Sequence, residues 1–180
     1  MNFLTHYEYH APQMRQIHDN IISKIADLLS NSNMNSKSNQ ISVFQTRRTF
    51  HFSSQEVFNA FASPTRIEKW WGPNGFTNSF EVFEFKTQGV WIFTMHAPDG
   101  VKYPNKCIFR EITNAKQIVI DHVVQPFFTL TIDLLDVNGG TELVWTQKFE
   151  DPEIALAMSE IVKKANEENL DRLTLNLVSD

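Results

Sequence analysis

The chain has 180 residues, a net charge of −5 and an apolar fraction of 42%. This balance argues against a nucleic-acid groove or a polybasic membrane surface, because both need clustered Lys and Arg. A single cysteine, Cys107, excludes an intrachain disulfide and a multi-cysteine zinc site. The 15 Phe and 4 Trp residues are a heavy aromatic share, which either fills a large core or lines a pocket.

Residues 1–40 are predicted to be an extension to a globular domain that spans residues 41–180. Apolar residues recur at three- and four-residue spacing between Met14 and Leu28, which predicts an amphipathic helix over roughly residues 12–29, followed by a polar linker. A helix of this length is unstable alone in water. We therefore expect it to dock on its own domain, on a second copy in a homodimer, or on another protein.

His6 and His10 in this extension have the four-residue spacing of two metal ligands on a helix. No third ligand is evident beside them, and Pro12 interrupts the helix beyond His10, so we predict no metal site. The N-terminus shows no secretory leader, and no apolar run approaches the roughly 18 residues that cross a bilayer. We expect a cytoplasmic protein without a membrane span.

The predicted domain begins with an alternating strand and two short helices. The strand covers residues 43–52, and Ser53 with Glu56 three residues later predicts a capping box at the first helix. The second helix starts at Ser63-Pro64 and carries Ile67 and the pair Trp70-Trp71 inward. Gly72-Pro73 then turns the chain, because neither residue continues a helix.

Six further strands and one long helix complete the predicted domain. Turn residues separate strands at 76–86, 90–97, 101–112, 117–124, 127–137 and 141–149. Asp151-Pro152-Glu153 then opens a helix of roughly 25 residues. Its predicted buried face consists of Ile154, Ala157, Met158, Ile161, Val162, Ala165, Leu170, Leu173 and Leu177. A long amphipathic helix after an antiparallel sheet packs across the concave face of that sheet, which gives an α+β fold.

Several segments in this order resemble a known family. They are Arg47-Arg48-Thr49-Phe50, Val57–Phe61, Pro64–Pro73, Gly75-Phe76-Thr77, Pro98-Asp99-Gly100, Tyr103-Pro104, Glu111-Ile112, Gly140–Leu143, Gln147-Lys148-Phe149 and Asn169–Leu173. Together they resemble the START-like, or SRPBCC, superfamily with its helix-grip fold, and within it the homologues of the activator of the heat-shock-protein-90 ATPase, C-terminal-domain class. The resemblance spans roughly residues 41–178 and is most specific at Trp70-Trp71-Gly72-Pro73.

The resemblance implies a domain that binds a hydrophobic or amphipathic small molecule in a hydrophobic cavity, in a stress-related setting. It does not imply a chaperone partner, because the eukaryotic co-chaperone carries a separate stimulating domain for which this chain has no room. The predicted ligand-binding residues are Trp71, Phe76, Phe83, Trp91, Phe93, Met95, Tyr103, His122, Trp145, Met158 and Ile161. No cofactor is predicted.

Two alternatives from other classes remain open. The first is a protein-interaction or co-chaperone-like module that works through the outer sheet face or the N-terminal helix. The second is a cyclase- or hydrolase-like enzyme in which His122, with Tyr103 or Asp121, transfers protons. Asp121 and His122 are adjacent on a strand and point to opposite faces, so they cannot both enter one pocket. Because no catalytic motif is present, we predict no catalytic residue.

Overall fold

The computed structural model describes residues 42–179. Within this range seven strands form one antiparallel sheet in the order β1-β7-β6-β5-β4-β3-β2. Two short helices follow the first strand, and a long helix follows the last. The elements are β1 (Val43–Phe50), α1 (Ser54–Ala62), α2 (Pro64–Trp70), β2 (Thr77–Phe83), β3 (Gly89–His96), β4 (Lys102–Thr113), β5 (Gln117–His122), β6 (Phe128–Val137), β7 (Gly140–Phe149) and α3 (Pro152–Ser179).

This arrangement confirms the α+β helix-grip fold predicted from the sequence, and the strand bounds agree to within a few residues. The predicted N-terminal helix, the polar linker, the histidine pair and the homodimer contact lie outside the described residues. They stay predictions.

Strand alternation decides which side chains form the core. On β7 every second residue from Thr141 to Phe149 is buried, and Trp91 and Phe93 on β3 are buried in the same way. Alternate residues of a strand point to one face of a sheet. The buried set therefore defines the inner face, against which α1, α2 and α3 pack.

Side-chain caps fix the starts of α1 and α3. Ser53 and Glu56 form the predicted capping box, in which the Ser53 backbone N–H donates to the Glu56 carboxylate over 2.8 Å. The Asp151 carboxylate accepts from the backbone N–H groups of Glu153 and Ile154, which confirms its predicted role at α3. Ser63 precedes α2 without a side-chain cap, and Pro64 supplies the first turn there.

The buried stripe of α3 differs from the prediction. Ile161 is 55% exposed, whereas Asn166 and Asn169 are buried. The observed stripe runs through Ala155, Val162, Asn166, Asn169, Leu170, Leu173 and Leu177. Ile161 precedes Val162 by one residue, which places it about 100° around the helix and away from the sheet. The two asparagines were missed because apolar periodicity does not register polar side chains on a buried face.

The turn after α2 is fastened to α3 by one guanidinium group. Nη1 of Arg172 donates to the carbonyl oxygens of Trp71, Gly72 and Pro73 over 2.8–3.2 Å, and Nη2 donates to Lys69 O over 2.7 Å. These carbonyls belong to the last turn of α2 and to the residues just beyond it, where helices leave acceptors unpaired. Arg172 therefore acts as the C-terminal cap of a helix distant from it in sequence.

Two asparagines complete this attachment. The Gly72 backbone N–H donates to Asn169 Oδ1 over 2.6 Å, and Asn78 Nδ2 donates to the carbonyls of Glu68 and Trp71. Gly72 has a φ of 96°, a conformation that side-chain-bearing residues rarely adopt. The Trp70-Trp71-Gly72-Pro73 turn is thus held from α3 on one side and from β2 on the other.

We expect Arg172→Lys to lower the free energy of unfolding by about 2 kcal/mol, since lysine cannot reproduce a fork of contacts to four backbone carbonyls. Urea denaturation followed by circular dichroism measures the loss. The matched control is Arg47→Lys, because Arg47 makes an exposed ion pair with Glu142; such pairs change stability by about 0.5 kcal/mol or less. Equal effects of the two substitutions would rule out the capping role.

Candidate ligand-binding site

Three of the predicted ligand-binding residues are tryptophans that meet in the interior between the sheet and the helices. The Trp71 ring lies between Trp91 and Trp145, with centroid distances of 4.9 and 5.4 Å, and it also contacts Trp70 at 5.6 Å. Trp71 is half-buried, whereas the other three tryptophans are buried. The aromatic side chains therefore fill the interior, and Trp71 is the member that reaches the surface.

The other predicted residues divide into groups. Phe83 and Phe93 contact Trp91 directly, and Met95 packs against the same cluster. Phe76 and Tyr103 form a separate ring pair at 6.0 Å. Met158 packs on a second, smaller cluster with Phe44, Phe149, Ala155 and Val162. Ile161 joins none of these groups, because it is on the exposed side of α3.

Three buried hydrogen-bond donors have no acceptor among residues 42–179. They are Trp91 Nε1, Trp145 Nε1 and Asn166 Nδ2, and their residues are 0%, 3% and 4% exposed. Trp70 is different, because its Nε1 donates to Ala60 O over 3.1 Å. Buried indole N–H groups usually find a partner, and leaving a buried donor without one costs about 1–3 kcal/mol.

His122 is held by two oxygen atoms inside the sheet. Its Nδ1 lies 2.8 Å from Pro126 O, and its Nε2 lies 3.0 Å from Asn105 Oδ1. The ring stacks on Phe128 with a centroid distance of 4.6 Å. Burial lowers the pKa of His122, and hydrogen bonds with the backbone of Pro126 and Val124 offset only part of that effect. A neutral imidazole has one N–H and donates to only one of these oxygens, but both ring nitrogens face protein atoms, which is the geometry of a structural imidazole.

The other groups of the enzyme alternative do not join His122. Asp121 points to the opposite face of β5, where it accepts from Thr129 Oγ1 and pairs with Arg110, so the predicted separation is confirmed. Burial raises the pKa of the Tyr103 hydroxyl, and the charge of Asp99 raises it further. Within the described part of the chain, these residues form no proton-transfer pair.

A cleft of about 320 Å³ opens at the end of the sheet beside the first turn of α3. It is lined by Gln125, Pro126, Phe127, Phe149, Glu150, Asp151, Pro152 and Ile154. The pairing of Phe128 with Phe149, and a hydrogen bond from Glu150 N to Phe127 O, bring the β5–β6 turn against the start of α3. The cleft therefore has apolar walls with two acidic residues and no basic residue.

None of the predicted ligand-binding residues lines this cleft. Two of them contact its walls: His122 through Pro126 O, and Met158 through the smaller apolar cluster. In the two segments that line the cleft, the sequence predicts only a turn between two strands and the start of the last helix. An apolar Phe127 at the predicted start of a strand, directly after Gln125-Pro126, is the one sequence signal that could have marked the cleft.

Residues 42–179 provide neither a metal-ligand cluster nor a membrane-spanning helix. In that range no group of three or more His, Cys, Asp or Glu side chains is placed to hold a metal ion. None of the helices described there has the length and apolar character to cross a membrane.

Comparisons with known proteins agree with this architecture. The sequence model of the family described as Activator of Hsp90 ATPase homolog 1-like protein matches residues 51–177. The search of curated proteins found no match.

Solved structures of bacterial proteins share the fold at low sequence identity. A protein from Arthrobacter aurescens is 22% identical with a TM-score of 0.72, covering 78% of this chain and 88% of its own. One from Nitrosomonas europaea is 19% identical with a TM-score of 0.71, covering 78% and 97%. The AHSA1 protein from Silicibacter pomeroyi is 15% identical with a TM-score of 0.62, covering 76% and 97%.

We expect Cys107 to resist thiol reagents in the folded protein. Burial raises its pKa to about 12, with a further contribution from the charge of Asp121, so almost no thiolate is present at pH 8. Labelling with a chromogenic disulfide reagent should be complete within minutes in concentrated urea and should take hours or longer without it. Rapid stoichiometric labelling of the native protein would show that Cys107 is accessible after all.

We expect His122 to make stability fall with acidity. Burial lowers the folded-state pKa of His122 below the ordinary value near 6.5, so the unfolded chain binds more protons than the folded protein in this range. The free energy of unfolding therefore decreases as the pH falls from about 7 through 6.5 toward the folded-state pKa. Unfolding free energies of the wild type and His122→Gln, measured between pH 7.5 and pH 5, test this. The variant should show a shallower slope, with His51→Gln as the control for removing an exposed imidazole; parallel slopes for His122→Gln and the wild type contradict it.

Proposed function

The chain belongs to the family of Activator of Hsp90 ATPase homolog 1-like proteins, and from that premise we propose that it binds a small hydrophobic or amphipathic molecule in the cleft beside α3. The observation that carries the proposal is the cleft itself. Its volume of about 320 Å³ is at the lower end of the range of small-molecule sites, which are typically apolar pockets with a few polar groups. The proposal concerns ligand binding and not chaperone stimulation.

The walls of the cleft favour an aromatic or branched apolar group. Phe127 and Phe149 supply ring surfaces, and Pro126, Pro152 and Ile154 supply aliphatic ones. Phe149 is buried, and its contacts with Phe44 and Phe128 fix the orientation of its ring. A wall held in this way is formed before the ligand arrives, so little ordering entropy is lost on binding.

The rim of the cleft selects the polar part of the ligand. Glu150 and Asp151 lie at the opening without a basic residue among the lining side chains. One carboxylate oxygen of Asp151 is already used to cap α3. An anionic head group would meet like charge at this rim, and like charges in a partly desolvated cleft repel. The ligand is therefore a neutral or cationic molecule and not a fatty-acid anion.

A pair of fluorescent probes tests both parts of the proposal. N-phenyl-1-naphthylamine is neutral, and 8-anilino-1-naphthalenesulfonate has the same ring skeleton with a sulfonate. We expect the neutral probe to bind saturably and the anionic probe to bind at least about tenfold more weakly, equivalent to roughly 1.4 kcal/mol.

Substitutions in α3 connect the binding to the cleft. Ile154→Trp fills the cleft and should weaken binding of the neutral probe by about tenfold or more. Leu175→Trp adds the same side chain at a position on α3 that is 68% exposed, and it should leave binding unchanged. Absence of saturable binding to the wild type, or an equal response of the two variants, would remove the cleft as the site.

A further inference from the structure

The tip of the β6–β7 hairpin places a side chain and a backbone nitrogen that react with each other in an exposed turn. The turn is Asn138-Gly139, between the paired residues Val137 and Gly140. We propose that the fold makes Asn138 a modification site, at which the side-chain amide is lost and the carboxyl group of aspartate or isoaspartate takes its place. The inference does not depend on the cleft, because the cleft lies at the opposite end of β7.

The reaction needs only these two residues and water. The Gly139 backbone nitrogen attacks Asn138 Cγ, so that a new N–C bond forms and the Cγ–Nδ2 bond breaks. The leaving nitrogen takes up the backbone amide proton and departs as ammonia, and a five-membered succinimide ring remains. One water molecule then opens this ring at either carbonyl carbon, which gives aspartate or isoaspartate. Glycine favours the attack because it has no side chain to shield its nitrogen.

The Gly139 backbone N–H and the Asn138 side chain make no hydrogen bond within residues 42–179. Both residues are exposed, and no atom beyond the chain neighbours lies within 4 Å of the position that a Gly139 Cβ would take. His51 Nδ1 lies 3.4 Å from Gly139 O, which is longer than an ordinary hydrogen bond. Ring closure requires the side chain to rotate onto the backbone nitrogen. A hairpin tip with so few contacts permits this motion at low free-energy cost.

A second Asn-Gly pair in the sequence, Asn74-Gly75, lies in a turn that the fold holds from two sides. The Asn74 backbone N–H donates to Glu168 Oε2 over 3.0 Å, which fastens the turn to α3. Gly75 packs so closely on Pro98 that a Cβ atom at Gly75 would lie 2.7 Å from Pro98 Cγ. A turn fixed in this way changes conformation at higher cost, so we expect Asn74 to keep its amide while Asn138 loses it.

The modification changes both the charge and the backbone of the hairpin tip. It adds a negative charge close to Asp136 and beside Leu135 and Val137, which are 45% and 39% exposed. The isoaspartate product also lengthens the main chain by one methylene group inside the turn. These changes stay local, because β7 separates the tip from the cleft by roughly 30 Å at the usual rise of a strand.

Incubation of the wild-type protein in mildly alkaline buffer, followed by proteolysis and mass spectrometry, measures both positions in one sample. In the folded protein, Asn138 should lose its amide at least about fivefold faster than Asn74. In concentrated urea neither turn is held, and the two rates should agree within about twofold. Retention of the amide at Asn138, or equal rates in the folded protein, would overturn the proposal. A fivefold difference that persists in urea would also overturn it, because the neighbouring sequence and not the fold would then be the cause.

Two variants connect the rates to the contacts. Glu168→Ala removes the carboxylate that holds the Asn74 backbone N–H, and it should raise the rate at Asn74 by about threefold or more while leaving the rate at Asn138 unchanged. Asn138→Gln should abolish the reaction at the hairpin tip, because glutamine would have to form a less favourable six-membered ring, and it should leave the naphthylamine affinity unchanged. An unchanged rate at Asn74 in Glu168→Ala, or an equal rise at both asparagines, would contradict the protective role of the fold.

Discussion

The contact of Arg172 with the turn after α2 is the constraint on which the arrangement of the core depends. Lys69 to Pro73 leave carbonyl oxygens that α2 itself cannot satisfy, and the guanidinium of Arg172 takes up four of them. Because Arg172 is on α3, this contact fixes the turn and the long helix relative to each other. The Trp70 and Trp71 rings follow from that geometry, since the turn determines where the two indoles enter the core.

The aromatic interior explains why the core is filled and still polar in places. Trp91 stacks on Phe93 at 4.3 Å, and Phe109 lies parallel to it on the next strand at 5.7 Å, so ring faces cover most of this indole. Such packing stabilises the core by burying apolar ring surface, but it leaves the N–H group at the edge of the indole without an acceptor. The two apolar clusters of the domain consist of different buried residues and are linked by Phe128, which packs against both. Asn166 lies on α3 between Val162 of one cluster and Leu170 of the other.

The sequence predicted the fold because local patterns determine it. Local patterns of this kind are the alternation along β3 and β7, the capping box at Ser53 and the N-cap at Asp151. Each involves residues within a few positions of one another in the chain. The site depends on residues far apart in the chain. Asn169 contacts Gly72 across 97 positions, and apolar periodicity treats that asparagine as a break in the stripe. The cleft was not predicted either, because it arises from the pairing of β6 with β7, which brings Phe127 to the start of α3.

Both halves of α3 pack on the sheet through apolar side chains, but only the second half, which buries Leu170, Leu173 and Leu177, also has directed polar contacts. Hydrogen bonds and ion pairs from Arg48, Gly72 and Asn74 meet the helix between Glu167 and Arg172. The first half, from Ala155 to Val162, packs through apolar contacts with Phe44 and Phe149. Apolar contacts have no fixed direction, so a helix held by them can shift at lower cost than one held by directed hydrogen bonds. The cleft lies beside the first half, and a ligand that needs more room therefore meets the part of α3 that can yield while the turn around Trp71 stays in place.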